Sequence, residues 1–191
     1  MSTLTVTHVT PEEYLAAERL SETRSEYIDG GVFPMTGASL NHAVIIFGIG
    51  GELIPQLQPR PCRIAGMDLK VRMPDSTKFF YPDLVVVCGE PQFHDDRKDI
   101  ILNPVLVVEV LSKSTEAFDR GEKFMAYQTV ESLKEYLLVS QNKPFVEQFV
   151  RNEAGKWEYA SAIGMKSSLT LPSIGCTLNL GAVYDKVEFN S

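Results

Sequence analysis

The sequence is poor in cysteine, and the few cysteines it has are badly spaced for cross-linking. Cys62, Cys88 and Cys176 are the only three, they lie far apart, and they form no CxxC pair. A sparse and odd count of this kind argues against a disulfide framework and against a zinc ribbon. The cysteine usage therefore predicts a soluble protein of a reducing, cytoplasmic compartment.

Long apolar runs and targeting signals are also lacking. The longest apolar stretch, at about residues 43–54, is interrupted by three glycines and by Glu52. It falls short of the roughly 18 to 20 apolar residues that span a bilayer. Residues 1–10 contain neither the basic segment nor the apolar segment of a secretory signal. We therefore expect no membrane partner.

Positive charge is scarce. Lys and Arg number 18 against 25 Asp and Glu, which gives a formal net charge of −7. This balance predicts weak non-specific attraction to phosphate backbones, because such binding depends on basic side chains that release counterions. A local basic groove is still allowed, because salt screens charges over about 8 Å.

What is present describes a folded chain of ordinary composition. Of the 191 residues, 44% are hydrophobic and 23% are charged, which excludes an intrinsically disordered chain. No internal repeat or Gly/Ser/Pro-rich linker divides the sequence. We therefore predict a single domain over residues 1–191.

The local patterns predict a mixed α/β domain with one central sheet. Thr10 and Pro11 indicate a helix start, and residues 25–33 resemble a hairpin with a turn at Asp29-Gly30-Gly31. Apolar spacing predicts helices over residues 39–57 and 115–129. Strands are predicted over residues 64–73, 79–88, 104–111, 135–140, 145–151 and 156–161.

Glu109 is a carboxylate in the middle of an apolar strand. Apart from Glu109, every one of residues 105–111 is apolar, which is typical of a central strand covered on both faces. Since side chains alternate along a strand, Glu109 shares a face with Val107 and Leu111. An unpaired buried carboxylate is costly, so Glu109 indicates a functional site rather than a structural ion pair.

Asp83 repeats this pattern at the start of a second apolar strand, where it shares a face with Val85 and Val87. If the two strands are neighbours, Asp83 and Glu109 converge, and two close carboxylates need a proton or a cation between them. A hard divalent ion, Mg²⁺ or Mn²⁺, would meet that need. The simpler alternative for Asp83 is a residue that caps backbone groups after a turn.

The predicted helix over residues 115–129 adds polar side chains along one face. Asp119, Lys123 and Tyr127 lie at i, i+4 and i+8. If the helix folds back over the end of the preceding strand, Lys123 reaches toward Glu109. There an ammonium group would support attack on a phosphate. The alternatives are a solvated Lys123 paired with Asp119 and a packing role for Tyr127.

Together these motifs resemble a known family. Pro82-Asp83, Glu109-Val110-Leu111-Ser112, Asp119, Lys123 and Tyr127, with residues 25–30 and 133–136, are similar to a family of proteins described as restriction endonucleases. That family belongs to the PD-(D/E)XK nuclease superfamily. The likeness extends over roughly residues 14–152.

The resemblance implies a restriction-endonuclease-like fold, a mixed central sheet flanked by helices. It implies that Asp83 and Glu109 bind the metal, with Glu26 as an additional acid. The superfamily lysine stands two residues after the second acid, where this chain has Leu111. In this family the lysine is expected on the following helix, at Lys123, with Lys113 as a weaker substitute. Homodimerisation is expected by analogy.

Two further residues have open interpretations. Glu26 is either a neighbour of the metal or an exposed hairpin residue. His42 stands at the start of an apolar helix, where a structural histidine is the simpler interpretation. The alternative places His42 beside the site, with Tyr127 and Asp119.

Three functions remain in competition. The first is a Mg²⁺- or Mn²⁺-dependent endonuclease that cleaves DNA with Asp83, Glu109 and Lys123. The second is an inactive nuclease fold that binds protein or nucleic acid, favoured by the acidic charge and by Leu111. The third is a hydrolase of a smaller phosphoester, which would suit an acidic protein.

Overall fold

The structure is a computed structural model that describes residues 8–189. The chain forms five α-helices, a π-helical turn and thirteen strands within these residues. The helices are α1 (Pro11–Glu18), α2 (Leu40–Leu57), α3 (Glu116–Phe118), α4 (Phe124–Tyr127) and α5 (Leu180–Val183), with the π-helical turn at Asp119–Lys123. The strands are β1 (Ser25–Ile28), β2 (Gly31–Pro34), β3 (Cys62–Gly66), β4 (Lys70–Arg72), β5 (Lys78–Phe80), β6 (Leu84–Cys88), β7 (Ile100–Ile101), β8 (Leu106–Leu111), β9 (Glu135–Ser140), β10 (Phe145–Arg151), β11 (Trp157–Ile163), β12 (Ser168–Leu171) and β13 (Cys176–Asn179).

The larger sheet has six strands in the order β11-β10-β9-β8-β6-β3. Strand β8 lies at its centre, parallel to β9 and antiparallel to β6. All six residues of β8 are buried. Alternation sends Leu106, Val108 and Val110 into the core under α2, while Val107 and Leu111 enter the core under α4. Glu109 therefore faces the α4 side, as its position in the strand predicts.

Helix α2 covers one face of this sheet. Ser39 caps its start by accepting a hydrogen bond from the His42 backbone N–H at 3.1 Å. Its buried residues, Ile45, Ile49, Leu53 and Leu57, repeat every four positions. At 18 residues and a mean hydropathy of 1.2, the helix passes a length and composition test for a membrane span, contrary to expectation. A core helix passes the same test.

The six-stranded sheet is the predicted mixed central sheet, and the described residues form two smaller sheets beside it that the sequence did not predict. Two predicted strands, residues 64–73 and 79–88, each break into two pieces that enter different sheets. The second break falls at Pro82, which has no N–H to donate, and at Asp83. The other sheet has the order β2-β1-β5-β4-β7 and holds the β1–β2 hairpin.

The C-terminal region is missing from the sequence prediction. The β12–β13 hairpin and α5 complete the core under α2, with Leu171, Leu178 and Val183 fully buried. Gly48 permits this packing, because a Cβ there would lie 2.4 Å from the Val183 carbonyl oxygen. A strand pattern of only four residues gave too little periodicity to recognise.

The sparse cysteine count argued against disulfide cross-links, and the structure contradicts that argument. Cys62 and Cys88 form a disulfide across the antiparallel β3–β6 pair, where the register places them opposite each other. They are 26 residues apart in sequence, so only strand pairing brings them together. Cys176 is free and buried. The disulfide removes the cysteine argument for a reducing compartment.

Candidate functional site

A buried cluster of charged side chains lies where β8, β6 and β1 meet the π-helical turn. Glu109 and Lys123 are each 4% exposed, and Asp119 is equally buried. The Lys123 Nζ atom lies 2.9 Å from Glu109 Oε1, 3.1 Å from Glu26 Oε1 and 3.6 Å from Asp119 Oδ1. The ammonium group is therefore surrounded by three carboxylates contributed by three different elements.

The π-helical turn explains why Asp119 and Lys123 both face inward. The predicted helix over residues 115–129 is interrupted here by five π-helical residues between two short α-helical segments. π-Helical turns are rare in proteins, and those that occur often lie at functional sites. The buried Tyr136 hydroxyl donates to the Asp119 carbonyl oxygen at 3.1 Å. This hydrogen bond links the π-helical turn to β9.

Asp83 joins the cluster through the backbone of β8. Its Oδ2 atom accepts a 2.6 Å hydrogen bond from the Val110 N–H, next to Glu109. The same oxygen lies 3.2 Å from His42 Nε2. His42 therefore lies beside the site rather than in the apolar core, as the second of its two sequence interpretations predicts. Gly66 allows β3 to pass close to Asp83, since a Cβ there would meet the Asp83 carbonyl oxygen at 2.2 Å.

Glu26 reaches the cluster from the β1–β2 hairpin, so it is not simply an exposed hairpin residue. Its Oε1 atom accepts a 3.1 Å hydrogen bond from the Tyr81 N–H and also contacts Lys123. Tyr81 and Tyr136 are the two site residues that sequence reasoning missed. Tyr81 contributes its backbone N–H, which no side-chain pattern marks. Tyr136 lies in the motif at residues 133–136, but no role in the site was predicted for it.

The electrostatics of the cluster reflect a surplus of acid. Burial raises the pKa of Glu109 well above its usual value; Lys123 opposes this shift, and Asp119, Asp83 and Glu26 add to it. Burial also raises the pKa of Asp119, again against the influence of Lys123. Desolvation would lower the pKa of Lys123, but Glu109, Glu26 and Asp119 outweigh it and raise that pKa. The carboxylates therefore keep Lys123 protonated, and the site favours binding of a proton or a further cation.

Three buried polar atoms of the site are incompletely satisfied within the described residues, and one of them is His42 Nδ1, which has no hydrogen-bond partner there. The Tyr127 hydroxyl is fully buried and has no hydrogen-bond partner in residues 8–189. Glu109 Oε1 touches the Lys123 ammonium, but the contact lacks hydrogen-bond geometry. Buried polar atoms are ordinarily paired, so these three leave room for a ligand that completes the site.

Of the three positions considered for the site lysine, the structure brings one to Glu109. Leu111 is buried in the apolar core on the α4 side, and Lys113 is exposed in the turn after β8. Lys123 is the lysine that contacts Glu109, and it does so from the π-helical turn that follows β8. The sequence placed it on the correct helix but could not give its contacts.

Comparison with known proteins identifies the family of this chain. The family model of Uma2, described as "Putative restriction endonuclease", matches residues 11–181. The chain belongs to the Uma2 family. The resemblance to a restriction-endonuclease family that the sequence motifs indicated is thereby confirmed.

Two curated relatives are similar to this chain over most of its length. Two uncharacterized proteins of Synechocystis sp. (strain ATCC 27184 / PCC 6803 / Kazusa) are similar to this chain. One, sll1609, is 34% identical over 84% of this chain and 91% of its own length. The other, slr1290, is 36% identical over 95% of this chain and 94% of its own length.

A crystal structure from Anabaena variabilis ATCC 29413, titled as a "putative nuclease belonging to DUF820", superposes with a TM-score of 0.72. It covers 94% of this chain and 99% of its own chain at 16% identity. The Uma2 chain therefore has the restriction-endonuclease-like fold. Family and fold together support a nuclease-like function.

Proposed function

We propose that this Uma2 protein is a divalent-metal-dependent endonuclease that hydrolyses DNA phosphodiester bonds. The observation that carries the proposal is the buried cluster in which Glu26, Glu109 and Asp119 surround the Lys123 ammonium, with Asp83 bound to the backbone N–H next to Glu109. Four carboxylates against one ammonium leave an excess of negative charge in a place where water is scarce. Such an excess is costly for folding alone and is typical of sites that bind a cation.

The donor set suits Mg²⁺ or Mn²⁺, which prefer carboxylate oxygens. Glu26, Asp83 and Glu109 are the residues that would hold the ion, and the incompletely satisfied Glu109 Oε1 is the atom that most needs one. When bound, the ion would supply Lewis acidity at the phosphate and a more acidic water.

The protein groups have separate tasks in this proposal. The Lys123 ammonium, kept charged by its carboxylate neighbours, would stabilise the negative charge that builds up on the phosphoryl oxygens. The Val110 N–H and His42 orient Asp83 through their contacts with Oδ2. The Tyr81 N–H does the same for Glu26.

The test is a plasmid-nicking assay with Mg²⁺ and with Mn²⁺ on wild type, Asp83→Asn and Glu109→Gln. We expect each substitution to lower the nicking rate by about a hundredfold or more, because each removes a charge that balances the metal. Glu153→Gln, which changes an exposed carboxylate in a turn, is the matched control. Equal nicking by wild type and both site variants would reject the proposal.

A nuclease fold that binds without catalysis is the second candidate, and one observation favours it. Within residues 8–189, no three His, Cys, Asp or Glu side chains already surround one point that fits a metal ion. The Lys123 ammonium lies among the carboxylates instead. Calorimetric titration with Mn²⁺ separates the candidates: heat in wild type that is lost in Glu109→Gln supports the enzyme, and no heat in either supports the binding domain.

A further inference from the structure

The Lys123 ammonium lies at the point from which one cation reaches two of the proposed metal-binding carboxylates. Its Nζ atom is 2.9 Å from Glu109 Oε1 and 3.1 Å from Glu26 Oε1. A divalent ion that bound the same two oxygens would lie within about 5 Å of Nζ, where the low polarity of a buried site strengthens the repulsion between positive charges. The ammonium and the ion therefore compete for one place.

The ammonium is an imperfect occupant of this place. Its contact with Glu109 Oε1 lacks hydrogen-bond geometry, and that oxygen is buried without a hydrogen-bond partner in residues 8–189. In the same part of the chain, no three His, Cys, Asp or Glu side chains are arranged around one point as a metal ion requires. The carboxylates are thus spaced around an ammonium, and metal binding requires that Lys123 move.

Asp119 offers Lys123 a second position on the same π-helical turn. It lies four residues earlier, is 4% exposed, and its Oδ1 atom is 3.6 Å from Nζ. That distance is the longest of the three ammonium contacts, and Asp119 is the one carboxylate among them that the proposed function leaves without a metal. Because the lysine side chain is flexible, a change of rotamer brings Nζ closer to Asp119 while the backbone stays in place.

The surroundings keep a displaced ammonium inside the protein. The Lys123 side chain is 5% exposed, and the buried ring of Phe80 has its centroid 5.5 Å from Nζ, a distance at which an aromatic face attracts a cation. The Tyr136 hydroxyl binds the Asp119 carbonyl oxygen and so fixes the backbone of the turn. An ammonium that leaves the metal-binding carboxylates therefore has Asp119 as its nearest acid.

We infer that Lys123 is a built-in cation that occupies the metal position in the metal-free protein and moves to Asp119 when the ion binds. Asp119 is then the positioning residue that receives the ammonium and keeps it beside the phosphate. The inference rests on the proposed function for the identity of the ion and for the reaction. It adds that metal binding exchanges one cation for another, while the ammonium keeps its proton and no covalent bond changes.

The experiment is a double-mutant cycle in which calorimetry measures Mn²⁺ affinity. Lys123→Met should bind Mn²⁺ about tenfold more tightly than wild type, because the ion no longer has to displace an ammonium. Asp119→Asn should weaken binding about tenfold while Lys123 is present, since no carboxylate then receives the ammonium. In Lys123→Met, the same change at Asp119 should weaken binding less than about threefold. Equal weakening in both backgrounds, or unchanged affinity in Lys123→Met, overturns the inference.

The matched control is Glu122→Gln, because Glu122 is an exposed acid of the same π-helical turn and its loss should leave Mn²⁺ affinity unchanged. Asp119→Glu, which keeps a carboxylate, should restore most of the affinity that Asp119→Asn loses.

Nitrogen-15 NMR of the buried ammonium supplies a second measurement that needs no change at Lys123, whose replacement also costs stability. Saturation with Mg²⁺ should shift the Lys123 Nζ signal in wild type and shift it much less in Asp119→Asn. A signal that does not move when Mg²⁺ binds, or that moves equally in both chains, overturns the inference.

Failure of this inference and failure of the proposed function give different results. Mn²⁺-dependent nicking by wild type, with equal Mn²⁺ affinity in wild type and Lys123→Met, rejects the cation exchange and keeps the nuclease. Mn²⁺ affinity that follows the expected cycle without any nicking does the reverse. Absence of Mn²⁺ binding in both chains rejects both.

Discussion

Two ionic networks meet at Tyr81, and they differ both in burial and in charge balance. In the first, which we call the α1 network, Arg19 forms a two-point contact with Asp99 at 2.8 and 3.1 Å and reaches Asp95 at 2.7 Å. The buried Lys70 ammonium lies 3.3 Å from Asp99 and 3.1 Å from the Tyr81 hydroxyl. That hydroxyl donates to Glu18 at 2.9 Å.

The second network is the candidate site, reached from the Tyr81 backbone through Glu26. The α1 network sets two basic groups against three acidic ones, and each of the five has a partner on the described chain. The site sets one ammonium against four carboxylates and has buried atoms without hydrogen bonds. The α1 network is also more exposed, with Asp99 28% exposed against 5% for Glu109. Burial and charge balance together therefore separate a network that stabilises the fold from one arranged for a ligand.

The largest expected effect comes from removing the Lys123 ammonium, which contacts three carboxylates of the site. Lys123→Met leaves the buried carboxylates uncompensated, so the metal-free protein should lose about 3 to 5 kcal/mol of unfolding free energy. Thermal unfolding with and without Mn²⁺ is the measurement, and Mn²⁺ should raise the Tm of the variant more than that of wild type. Lys113→Met, at an exposed lysine, should change neither value. A variant as stable as wild type would show that the site is not acid-rich in solution.

A smaller effect is expected at His42, which acts through Asp83. His42→Ala removes the group that lies 3.2 Å from Asp83 Oδ2, and loss of an orienting partner should weaken Mn²⁺ affinity by about tenfold. Calorimetry measures this, with circular dichroism to establish folding. Asn41→Ala, one residue earlier on α2, is the control. If both variants bind Mn²⁺ equally, His42 does not position Asp83.

The smallest effect tests the α1 network. Burial alone would raise the pKa of Asp99, but the hydrogen bond from Arg19 and the charge of Lys70 outweigh it and lower that pKa to about 2. Because the folded-state pKa is depressed, its stabilisation is present above about pH 4 and is lost as the pH falls toward 2. Asp99→Asn should therefore cost on the order of 1 kcal/mol at neutral pH, after allowance for solvent screening.

Urea unfolding of Asp99→Asn and of the exposed control Asp96→Asn at pH 7 and pH 3 measures this cost. The difference between the two variants should shrink at the lower pH, and nicking should be unaffected at pH 7. A loss of nicking in Asp99→Asn would mean that the two networks are one functional unit.

Much of the fold could be predicted because its signals are local. The Thr10 and Pro11 helix start, the hairpin at residues 25–33 and the apolar spacing of α2 all correspond to observed elements. The breaks at Met67 and at Pro82 could not be predicted, because a run of strand-forming residues does not reveal that its two halves pair in different sheets. Met67 adopts a φ of +65° there, which strand patterning cannot anticipate.

The site divides in the same way. Glu109 and Asp83 are conspicuous in the sequence because each interrupts an apolar strand, and the spacing of Asp119 and Lys123 indicates a shared helix face. Their meeting depends on three tertiary features: the antiparallel pairing of β6 with β8, the π-helical turn and the docking of the β1–β2 hairpin. Glu26, His42 and the Cys62–Cys88 bond reach their places only through such long-range contacts.

The sequence by itself therefore determined which carboxylates are costly to bury, since that cost depends on the neighbouring residue types along one strand. Only the tertiary structure decided how the cost is met. It places one ammonium among the carboxylates. The physical reason is that hydrophobic patterning acts over a few residues, whereas charge compensation acts through space between residues that the chain alone keeps far apart.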